Sequence, residues 1–587
     1  MLTASEPPAR ICDLLVIGTG AAALSAALTA LVNGLSVVLI EKEEVFGGAS
    51  ARSGGGVWIP NSRHVRAAGI DDSAEAAMTF IRHEAGDRLN EPAARAFVDN
   101  APAMLDFIEA NSPVRFGFVN GFPDYHCDSP GGSTRGRAHY PLTWDAAPLG
   151  RDLARMRLPL EVGTFLTMQV GSHETARYLA AGRDLGSFLY VLKCMALRVR
   201  DQFRAGRTLR LGSGNALVGG LASAVLARGG DILTSTPARR LIVADGRVTG
   251  AEVDTAQGKA IIHARRGVVV ATGGFPHDAA RRATLFPPGA TAPEVWGMLP
   301  YGNSGDGIRM GEAVGAQVND RMRFPIALTP ITRLHGGEGG LQTMPIFQGR
   351  GKPGLIGVTR DGRRFTNEGR SYHDFCAALL AKEAGEPEAV AWLVFDHRHL
   401  RRYGAGPVLP WPIPHRRHLR SGYLKTGRSI RELAANAGID ADGLEASVAR
   451  YNGFAKEARD PDFHRGSNAY DLAHGDPDHR PNPCIGPIEH GPYYAIRVFA
   501  GSVGTFVGLK TDGDARVLDT AGQPIPGLYA AGNDMASITG GDYISGGCTL
   551  GPGMTFGYLA ARHAARHAAR GADGSAAEQD AGRSACA

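Results

Sequence analysis

The stretch Asp13-Leu-Leu-Val-Ile-Gly-Thr-Gly-Ala-Ala-Ala23 decides the fold of this 587-residue chain. Its apolar run, Leu14 to Ile17, is typical of a strand that is buried on both faces. Gly18 permits a tight turn, Gly20 lets the backbone approach a pyrophosphate, and Ala23 is small enough for a helix to pack on the strand. A helix that starts here would direct its first amides at the phosphates. The stretch therefore predicts a dinucleotide-binding unit.

A second strand and an acidic residue follow at the expected distance. The apolar run 36–40 ends at Glu41, about twenty residues beyond the glycines, where an acid accepts ribose hydroxyls. The segment 41–56 that comes next is rich in glycine and carries several hydroxyls. Such a loop can run along a long cofactor and donate backbone amides to it, which a simple nicotinamide domain does not require. The pattern favours FAD over NAD, and a flexible surface loop is the alternative.

The other half of the cofactor site is written near the far end of the chain. Gly527-Leu-Tyr-Ala-Ala-Gly-Asn533 is followed by Tyr543-Ile-Ser-Gly-Gly-Cys-Thr-Leu-Gly-Pro-Gly553. The two ends together predict one α/β domain that closes around a flavin. The residues expected to bind FAD are Gly18, Gly20, Ala22, Ala23, Glu41, Lys42, Gly48, Ala49, Ser50, Ser53, Gly54, Gly55, Ala238, Thr272, Gly273, Gly532, Asn533, Gly547, Thr549 and Leu550.

Length and composition bound the remaining possibilities. A chain of 587 residues exceeds a single core, and 43% apolar and 21% charged residues are typical of a globular protein. The net charge of +5 comes without a basic block interleaved with aromatic residues, so no nucleic-acid partner is expected. The seven cysteines form no Cys-x-x-Cys pair, so no metal site is predicted. The absence of a signal-like segment and of a long apolar run predicts a cytoplasmic protein without a transmembrane helix.

Changes in residue pattern along the chain predict its organisation. We expect a Rossmann-like FAD-binding domain of class α/β, formed by residues 1–285 and 496–569. An α+β domain, residues 286–495, is inserted for substrate binding and catalysis, and residues 570–587 form a disordered tail. The expected elements are helices over 72–109, 151–205 and 554–568, a loop over 116–148, a strand over 267–270, and a hairpin that turns at Asp245-Gly246.

Several stretches resemble the fumarate reductase/succinate dehydrogenase flavoprotein superfamily, over nearly the whole chain. They are Val16-Ile-Gly-Thr-Gly-Ala-Ala22, Gly47-Gly-Ala-Ser50, Gly302-Asn-Ser-Gly-Asp-Gly-Ile-Arg309, Arg364-Phe-Thr-Asn-Glu368 and Gly527-Leu-Tyr-Ala-Ala-Gly-Asn533. Within the superfamily, the segment from Tyr543 through Gly547 to Gly553 is most similar to 3-ketosteroid Δ1-dehydrogenases and related cyclic-ketone dehydrogenases. Gly504-Thr505 and Pro123-Asp-Tyr125 are similar to the same enzymes.

The resemblance implies oxidation of a ketone to its α,β-unsaturated form. That reaction needs a group to polarise the carbonyl, a base for the α-proton, and the flavin N5 to take the β-hydride. The Tyr543 hydroxyl and the Gly547 amide would form the oxyanion hole, where one donor is typically worth roughly 2.7–4 kcal/mol of barrier. Tyr125 matches a second tyrosine of the family, which assists proton removal.

The family's proton-abstracting tyrosine has no clear counterpart in this sequence. The best match to its Pro-Tyr-Phe segment is Pro345-Ile-Phe347, and an isoleucine cannot take a proton. Either the alignment slips or the base comes from elsewhere, with Tyr190 and Tyr301 as the candidates. A tyrosine that works near neutral pH needs its pKa lowered from about 10.

The expected function is that of a ketone α,β-dehydrogenase with non-covalent FAD, because the segment 52–56 lacks a flavin-attaching histidine. The substrate would be a small hydrophobic ketone, either a 3-ketosteroid or a smaller ring such as cyclohexanone. A quinone, an artificial dye or oxygen would accept the electrons. The alternatives are a fumarate-reductase-like reduction of an unsaturated acid and a flavin carrier without this catalysis. The first is weakened because 501–508 lacks the family's histidine and because Arg370, Arg398 and Arg401 read as a solvated basic face.

Overall fold

The computed structural model describes residues 10–118, 121–160, 164–165, 168–182, 184–291, 299–335, 341–347 and 349–566. Its α-helices of five or more residues span Ala21–Val32, Gly48–Arg52, Arg63–Ala67, Ala74–Ala85, Glu91–Asn111, Thr175–Ala180, Leu185–Ala205, Ser213–Leu226, Ala279–Leu285, Asp306–Ala313, Tyr372–Lys382, His397–Tyr403, Arg416–Arg420, Ile430–Ala437, Ala441–Lys456, Ala469–His474 and 550–566. Among the described residues, no helix is both long enough and apolar enough to cross a membrane.

An eight-stranded sheet, called here the first sheet, joins the two ends of the chain. Its strands, in order of pairing, are Asp231–Leu233, Val37–Ile40, Arg10–Ile17, Gly258–Val270, Arg247–Thr255 and Ala238–Ala244, with Pro524–Ala530 beside Gly258–Val270 and Arg516–Leu518 at its edge. The central pairings are parallel. Leu14 to Val16 and Val268 to Val270 are fully buried, because helices cover both faces of a parallel sheet.

A six-stranded sheet, called here the second sheet, lies in the region that was expected to be inserted. It contains Leu341–Pro345, Ile326–His335, Tyr493–Thr505, Val390–Phe395 and Leu355–Val358 in that order, with Lys425–Gly427 added to Tyr493–Thr505. All of its pairings are antiparallel. The strand Tyr493–Thr505 continues past the expected boundary at residue 495 without a break. The domain boundaries themselves stay a prediction.

Most of the expected elements are present. The hairpin turns at Asp245 and Gly246, which both have positive φ as a two-residue turn of this kind requires. The region 72–109 contains two helices, Ala74–Ala85 and Glu91–Asn111. The last helix covers 550–566, and the tail 570–587 lies outside the described residues.

Two regions differ from the sequence-based expectation. The stretch 116–148 is not only loop, because it contains the short strands Phe116–Phe118, Ala138–Pro141 and Trp144–Asp145. Strands of two to four residues between glycine and proline turns are too short to show an alternating pattern. Within 151–205, the helix Leu185–Ala205 is preceded by the small hairpin Thr164–Phe165 and Met168–Gln169.

Glu368, the last residue of the Arg364-Phe-Thr-Asn-Glu motif, is the centre of a buried ion network. Its carboxylate accepts from Arg364 Nε and Nη2 at 2.9 and 2.8 Å, from Arg465 Nη1 at 3.2 Å, and from the Gly357 amide at 2.9 Å. Asp460 completes the network from the other side of Arg364. The network fixes the segment that leads into the helix Tyr372–Lys382, which carries part of the site described below.

We expect Glu368→Ala to lower the free energy of unfolding by about 3–5 kcal/mol, because it leaves two buried guanidinium groups without their shared carboxylate. The exposed pair of Arg95 and Glu75 is the matched control, and Glu75→Ala should have a much smaller effect, because solvent screens an exposed ion pair. Urea unfolding followed by circular dichroism measures both. Equal effects of the two substitutions would contradict a stabilising role for the network.

Candidate functional site

A continuous cavity runs from the glycine turn of the first sheet to an aromatic cluster beside the second sheet. Most of its length is lined by the glycine turn at 18–20, the loop 41–56 and the turn at 543–553, called here the C-terminal turn. At the far end the lining side chains are Phe122, Tyr125, Tyr140, Met344, Pro345, Phe347, Tyr372, Tyr470, His474, Val503 and Tyr543. The cavity is therefore polar and rich in backbone amides at one end and aromatic at the other.

Gly18 makes the closest backbone approach at the first end. Its φ is +112°, and a Cβ at this position would lie 2.2 Å from the carbonyl oxygen of Ala271. Gly20 caps the helix Ala21–Val32, and the Ser50 hydroxyl accepts from the Ala21 amide at 3.0 Å. The glycine turn thus packs against both the neighbouring strand end and the loop 41–56, as a pyrophosphate cradle requires.

Glu41 lies half-buried at the end of the strand Val37–Ile40. Its carboxylate accepts from the Thr19 hydroxyl at 2.5 Å and from the Glu43 amide at 3.1 Å. Burial raises the pKa of Glu41, although both hydrogen bonds oppose this shift. The side chain is held against the glycine turn, where a ribose hydroxyl would meet it.

Asp534 ties the far end of the chain to the first sheet. Its buried carboxylate accepts from the Thr272 hydroxyl and the Gly274 amide, both at 3.0 Å. Further along, Gly547 has a φ of +88°, and a Cβ there would lie 2.5 Å from the carbonyl carbon of Gly56. The C-terminal turn therefore closes on the loop 41–56, and only glycine allows that contact.

The structure brings nearly all of the expected FAD residues to this cavity. Those that line it are Gly18, Gly20, Ala22, Glu41, Lys42, Gly48, Ala49, Ser50, Ser53, Gly54, Gly55, Ala238, Thr272, Gly273, Gly532, Asn533, Gly547, Thr549 and Leu550. Ala23 does not line it, because its side chain is buried within the packing of the helix Ala21–Val32. The contacts of these residues with FAD stay a prediction.

Three tyrosines meet at the aromatic end of the cavity. The rings of Tyr125 and Tyr543 stack with centroids 5.8 Å apart, and the Tyr372 ring stands edge-on to both, at 5.4 and 5.1 Å. Tyr470 packs on the outer side of Tyr125 with centroids 5.1 Å apart.

The environment of this tyrosine cluster favours neutral phenols. Burial raises the pKa of Tyr372 and of Tyr125 well above the usual value, and the neighbouring phenols raise them further. Burial also raises the pKa of Tyr543. A phenolate formed here would be a strong base, because a phenol with a raised pKa has an anion with a higher affinity for protons.

The structure does not bring Tyr190 or Tyr301 to the cavity, and this corrects the expectation that one of them is the base. Tyr190 lies on the helix Leu185–Ala205, where its hydroxyl bonds to Glu174 and accepts from Arg210 at 3.1 Å. The side chain of Tyr301 is 78% exposed. Ile346, the aligned position, is buried beside the cluster but has no group that could take a proton.

Tyr372 was missed by the sequence reasoning. It stands four residues after Glu368. The available signal was therefore a tyrosine shortly after the Phe-x-Asn-Glu motif, whereas the match at Pro345-Ile-Phe347 lies before it. The Ser371 hydroxyl accepts from the Asp374 amide at 3.1 Å and starts the helix Tyr372–Lys382. The first turn of this helix carries Tyr372 into the cavity.

A cluster of charged residues lies behind the three tyrosines. His126 bonds through Nδ1 to Glu84 at 2.5 Å and through Nε2 to Asp374 at 3.0 Å. Arg323 pairs with Asp542 at 3.3 Å. His126 follows Tyr125, Asp374 is two residues after Tyr372, and Asp542 precedes Tyr543. Each tyrosine thus lies within two residues of a member of the charged cluster, and the contact of His126 with Asp374 joins the loop of Tyr125 to the helix of Tyr372.

His126 should remain protonated throughout the neutral range. Burial alone would lower its pKa, but the carboxylates of Asp374 and Glu84 outweigh burial and raise it to about 11. Because the pKa of His126 is higher in the folded state than in the unfolded chain, its contribution to stability is present below about pH 6.5. We expect that contribution to be lost as the pH rises toward 11. This contribution is measured, at each pH, as the unfolding free energy of the wild type minus that of His126→Gln. An NMR titration that places the pKa of His126 near 6.5 would contradict the prediction.

Comparison with known proteins agrees with this geometry. A model of the FAD binding domain family matches residues 13–550, so the chain belongs to that family. A 4-oxocyclohex-2-ene-1-carboxylate 5-dehydrogenase of Sinomonas cyclohexanicum is 37% identical over 94% of this chain and 93% of its own length. A 3-oxosteroid 1-dehydrogenase of Mycobacterium tuberculosis is 36% identical over 94% of this chain and 98% of its own.

A solved structure is similar along its whole length. The crystal structure of the 3-ketosteroid Δ1-dehydrogenase from Sterolibacterium denitrificans, in complex with 1,4-androstadiene-3,17-dione, superposes with a TM-score of 0.88. It is 35% identical and covers 95% of this chain and 100% of that chain. With the glycine cradle, Glu41 beside it and the long cavity fitting FAD, the chain is an FAD-dependent oxidoreductase of the 3-ketosteroid dehydrogenase type.

Proposed function

We propose that the protein introduces a carbon–carbon double bond next to the carbonyl of a neutral ring ketone. The observation that carries this proposal is the cluster of Tyr125, Tyr372 and Tyr543 at the end of the FAD cavity, beside the Gly547 turn. The cluster offers hydroxyl groups and aromatic walls, which suit a reaction that moves one proton from carbon and builds charge on one oxygen.

Each residue has a distinct role in the proposed reaction. The Tyr543 hydroxyl and the Gly547 amide polarise the ketone oxygen and stabilise the enolate that forms there. Tyr372 Oη takes the α-proton, and Tyr125, whose ring stands edge-on to that of Tyr372 with centroids 5.4 Å apart, keeps the phenol in position. Bound FAD supplies the acceptor for the β-hydride at its N5 position. The surrounding aromatic side chains exclude water from the enolate.

The lining of the aromatic end favours an uncharged substrate. Among the described residues, no lysine or arginine lines the cavity there, and the cationic lining residues Lys42, Arg52 and Arg157 all lie along the FAD part. His474 lines the aromatic end, but burial lowers its pKa to about 4, so it is neutral at pH 7. A carboxylate on the ring would be desolvated there without a countercharge. The substrate class is therefore a 3-ketosteroid or a smaller neutral cyclic ketone.

The same lining disfavours the fumarate-reductase-like alternative. That reaction needs cationic side chains to hold a dicarboxylate, but none of Arg370, Arg398 and Arg401 lines the cavity. Arg370 pairs with Asp128 at 3.2 Å, and the Arg401 guanidinium lies over the Trp411 ring at 5.6 Å. For reoxidation we propose a quinone, with artificial dyes and oxygen as substitutes.

We expect Tyr372→Phe to slow flavin reduction by a ketone about 10²–10⁴-fold, because the proton acceptor is lost while the ring and its packing remain. The ketone dissociation constant should stay within a few-fold. In the wild type the reduction rate should rise about tenfold per pH unit below the pKa of Tyr372, which burial holds high, and this dependence should vanish in the variant. Stopped-flow bleaching of the flavin measures both, with Tyr190→Phe as the matched control. Equal loss in the two variants would sink the assignment.

We expect anaerobic flavin bleaching by saturated 3-ketosteroids or cyclohexanone, and none by succinate. A ring ketone that carries a carboxylate should reduce the flavin more slowly than its methyl ester, because the aromatic end provides no countercharge. The reduction rates of the acid and the ester, measured side by side, test the neutral-substrate class. Bleaching by succinate alone would refute the dehydrogenation itself, whereas a faster acid would refute only the neutrality of the substrate.

A further inference from the structure

His474 places an imidazole at the aromatic end of the cavity that the proposed dehydrogenation does not use. The residue ends the short helix Ala469–His474, and its ring lies against the rings of Phe122 and Tyr470, with centroids 5.4 and 4.2 Å away. The side chain is half-buried and is one of those that line the cavity. His474 is therefore a polar group, set among aromatic side chains, that a bound ligand can reach.

The hydrogen bond of Nδ1 decides which form of the imidazole the cavity meets. Nδ1 lies 2.9 Å from the backbone carbonyl oxygen of Tyr470, and since a carbonyl oxygen only accepts, Nδ1 carries the proton. Burial lowers the pKa of His474 to about 4, the bond to Tyr470 opposes this shift, and the charges of Arg350 and Lys352 add to it. The ring is thus neutral at pH 7, and Nε2 carries a lone pair.

Nε2 has no protein donor within the part of the chain that the structure describes. The side chain's one hydrogen bond there is the bond that Nδ1 donates. Nε2 is therefore the polar atom of the ring that remains available to the cavity. A ligand that fills the aromatic end displaces water from this acceptor, and a buried acceptor left without a donor is unfavourable. The site consequently favours a ligand that brings a donor of its own.

The position of His474 tells which part of a ligand would meet it. The Tyr470 ring contacts both His474 and Tyr125, with centroids 4.2 and 5.1 Å away, and Tyr125 in turn stacks on Tyr543. His474 thus lies beyond the tyrosine cluster as seen from Tyr543. A ring ketone whose oxygen lies at Tyr543 and Gly547 would reach His474 with the part remote from its carbonyl.

We propose that His474 Nε2 accepts a hydrogen bond from a hydroxyl group that the ring ketone carries on the side remote from its carbonyl. This inference rests on the proposed function and narrows its substrate class to neutral hydroxylated ring ketones. A carboxylate or a second carbonyl only accepts, so its oxygen would face the lone pair of Nε2. An ammonium group could donate, but no carboxylate among the described residues lines the aromatic end to pair with it.

The test compares pairs of ligands that differ in one hydroxyl. One pair is cyclohexanone with a hydroxymethyl or an ethyl group on the carbon opposite the carbonyl. The other is a saturated 3-ketosteroid with or without a hydroxyl on its last ring. Dissociation constants are measured from the flavin absorption spectrum of the FAD-loaded protein, in the Tyr372→Phe background so that no turnover interferes. In at least one pair we expect the hydroxylated ligand to bind about tenfold more tightly.

Substitution of His474 should remove this preference. We expect His474→Phe, which keeps an aromatic ring without an acceptor, to bring the ratio of the two dissociation constants close to one. His474→Gln offers an amide oxygen and should recover about threefold of the preference. The ligand without the hydroxyl reports any general damage to the cavity in the same variants, so the ratio isolates the contact with the hydroxyl.

His399 provides the matched control variant. It is also a buried histidine whose Nδ1 bonds to a backbone carbonyl, that of Pro353 at 2.8 Å, and burial lowers its pKa to about 4 as well. His399 does not line the cavity. His399→Phe should therefore keep the tenfold ratio.

The outcomes separate the hydroxyl contact from the dehydrogenation. Equal affinity within both ligand pairs, or a preference that survives His474→Phe, overturns the role of His474. Flavin bleaching in protein that retains Tyr372 is recorded with the same ligands. Bleaching without a hydroxyl preference leaves the dehydrogenation standing and refutes the contact, whereas a His474-dependent preference without bleaching supports the contact and refutes the dehydrogenation.

Discussion

The pairing of the strand Gly258–Val270 with two other strands is the constraint on which the rest of the structure depends. It runs parallel to Arg10–Ile17 on one side and to Pro524–Ala530 on the other, so residues more than 500 positions apart end at the same edge of one sheet. The glycines make this possible. A Cβ on Gly267 would lie 2.5 Å from the carbonyl oxygen of Gly527. The cofactor cavity opens at this edge because the carboxyl ends of all three strands meet there.

The chemistry of the site comes from residues that the sheet alone does not bring together. Tyr125 lies on a loop, Tyr372 on the first turn of a helix, and Tyr543 on the C-terminal turn. Ionic contacts fix the backbones of two of them: Glu368 anchors the approach to the helix Tyr372–Lys382, and His126 links the loop of Tyr125 to that same helix. The aromatic end therefore combines an apolar lining with a rigid polar support. That combination suits proton transfer from carbon, because the reacting groups need fixed geometry and little water.

Much of the fold was predictable because its signals are local. A strand, a glycine turn and a helix within eleven residues identify the dinucleotide unit, and the Asp245-Gly246 turn identifies its hairpin. The short strands within 116–148 were not predictable, because a strand of two to four residues shows no period. The base was missed for another reason. The candidates were Tyr190, in an apolar helical block, and Tyr301, before the turn at Gly302, and neither lines the cavity in the folded chain.

The sequence by itself determined that this protein holds a flavin. Close backbone contacts at Gly18 and Gly547 and an acid at Glu41 are requirements of the cofactor, and they can be met only by particular residue types at particular spacings. Only the tertiary structure decided which tyrosine faces Tyr125 and Tyr543, and that the described residues lining the cavity around them are aromatic and include no lysine or arginine. Hydrogen bonds and charge interactions act over a few ångströms in space, and chain position does not encode those distances.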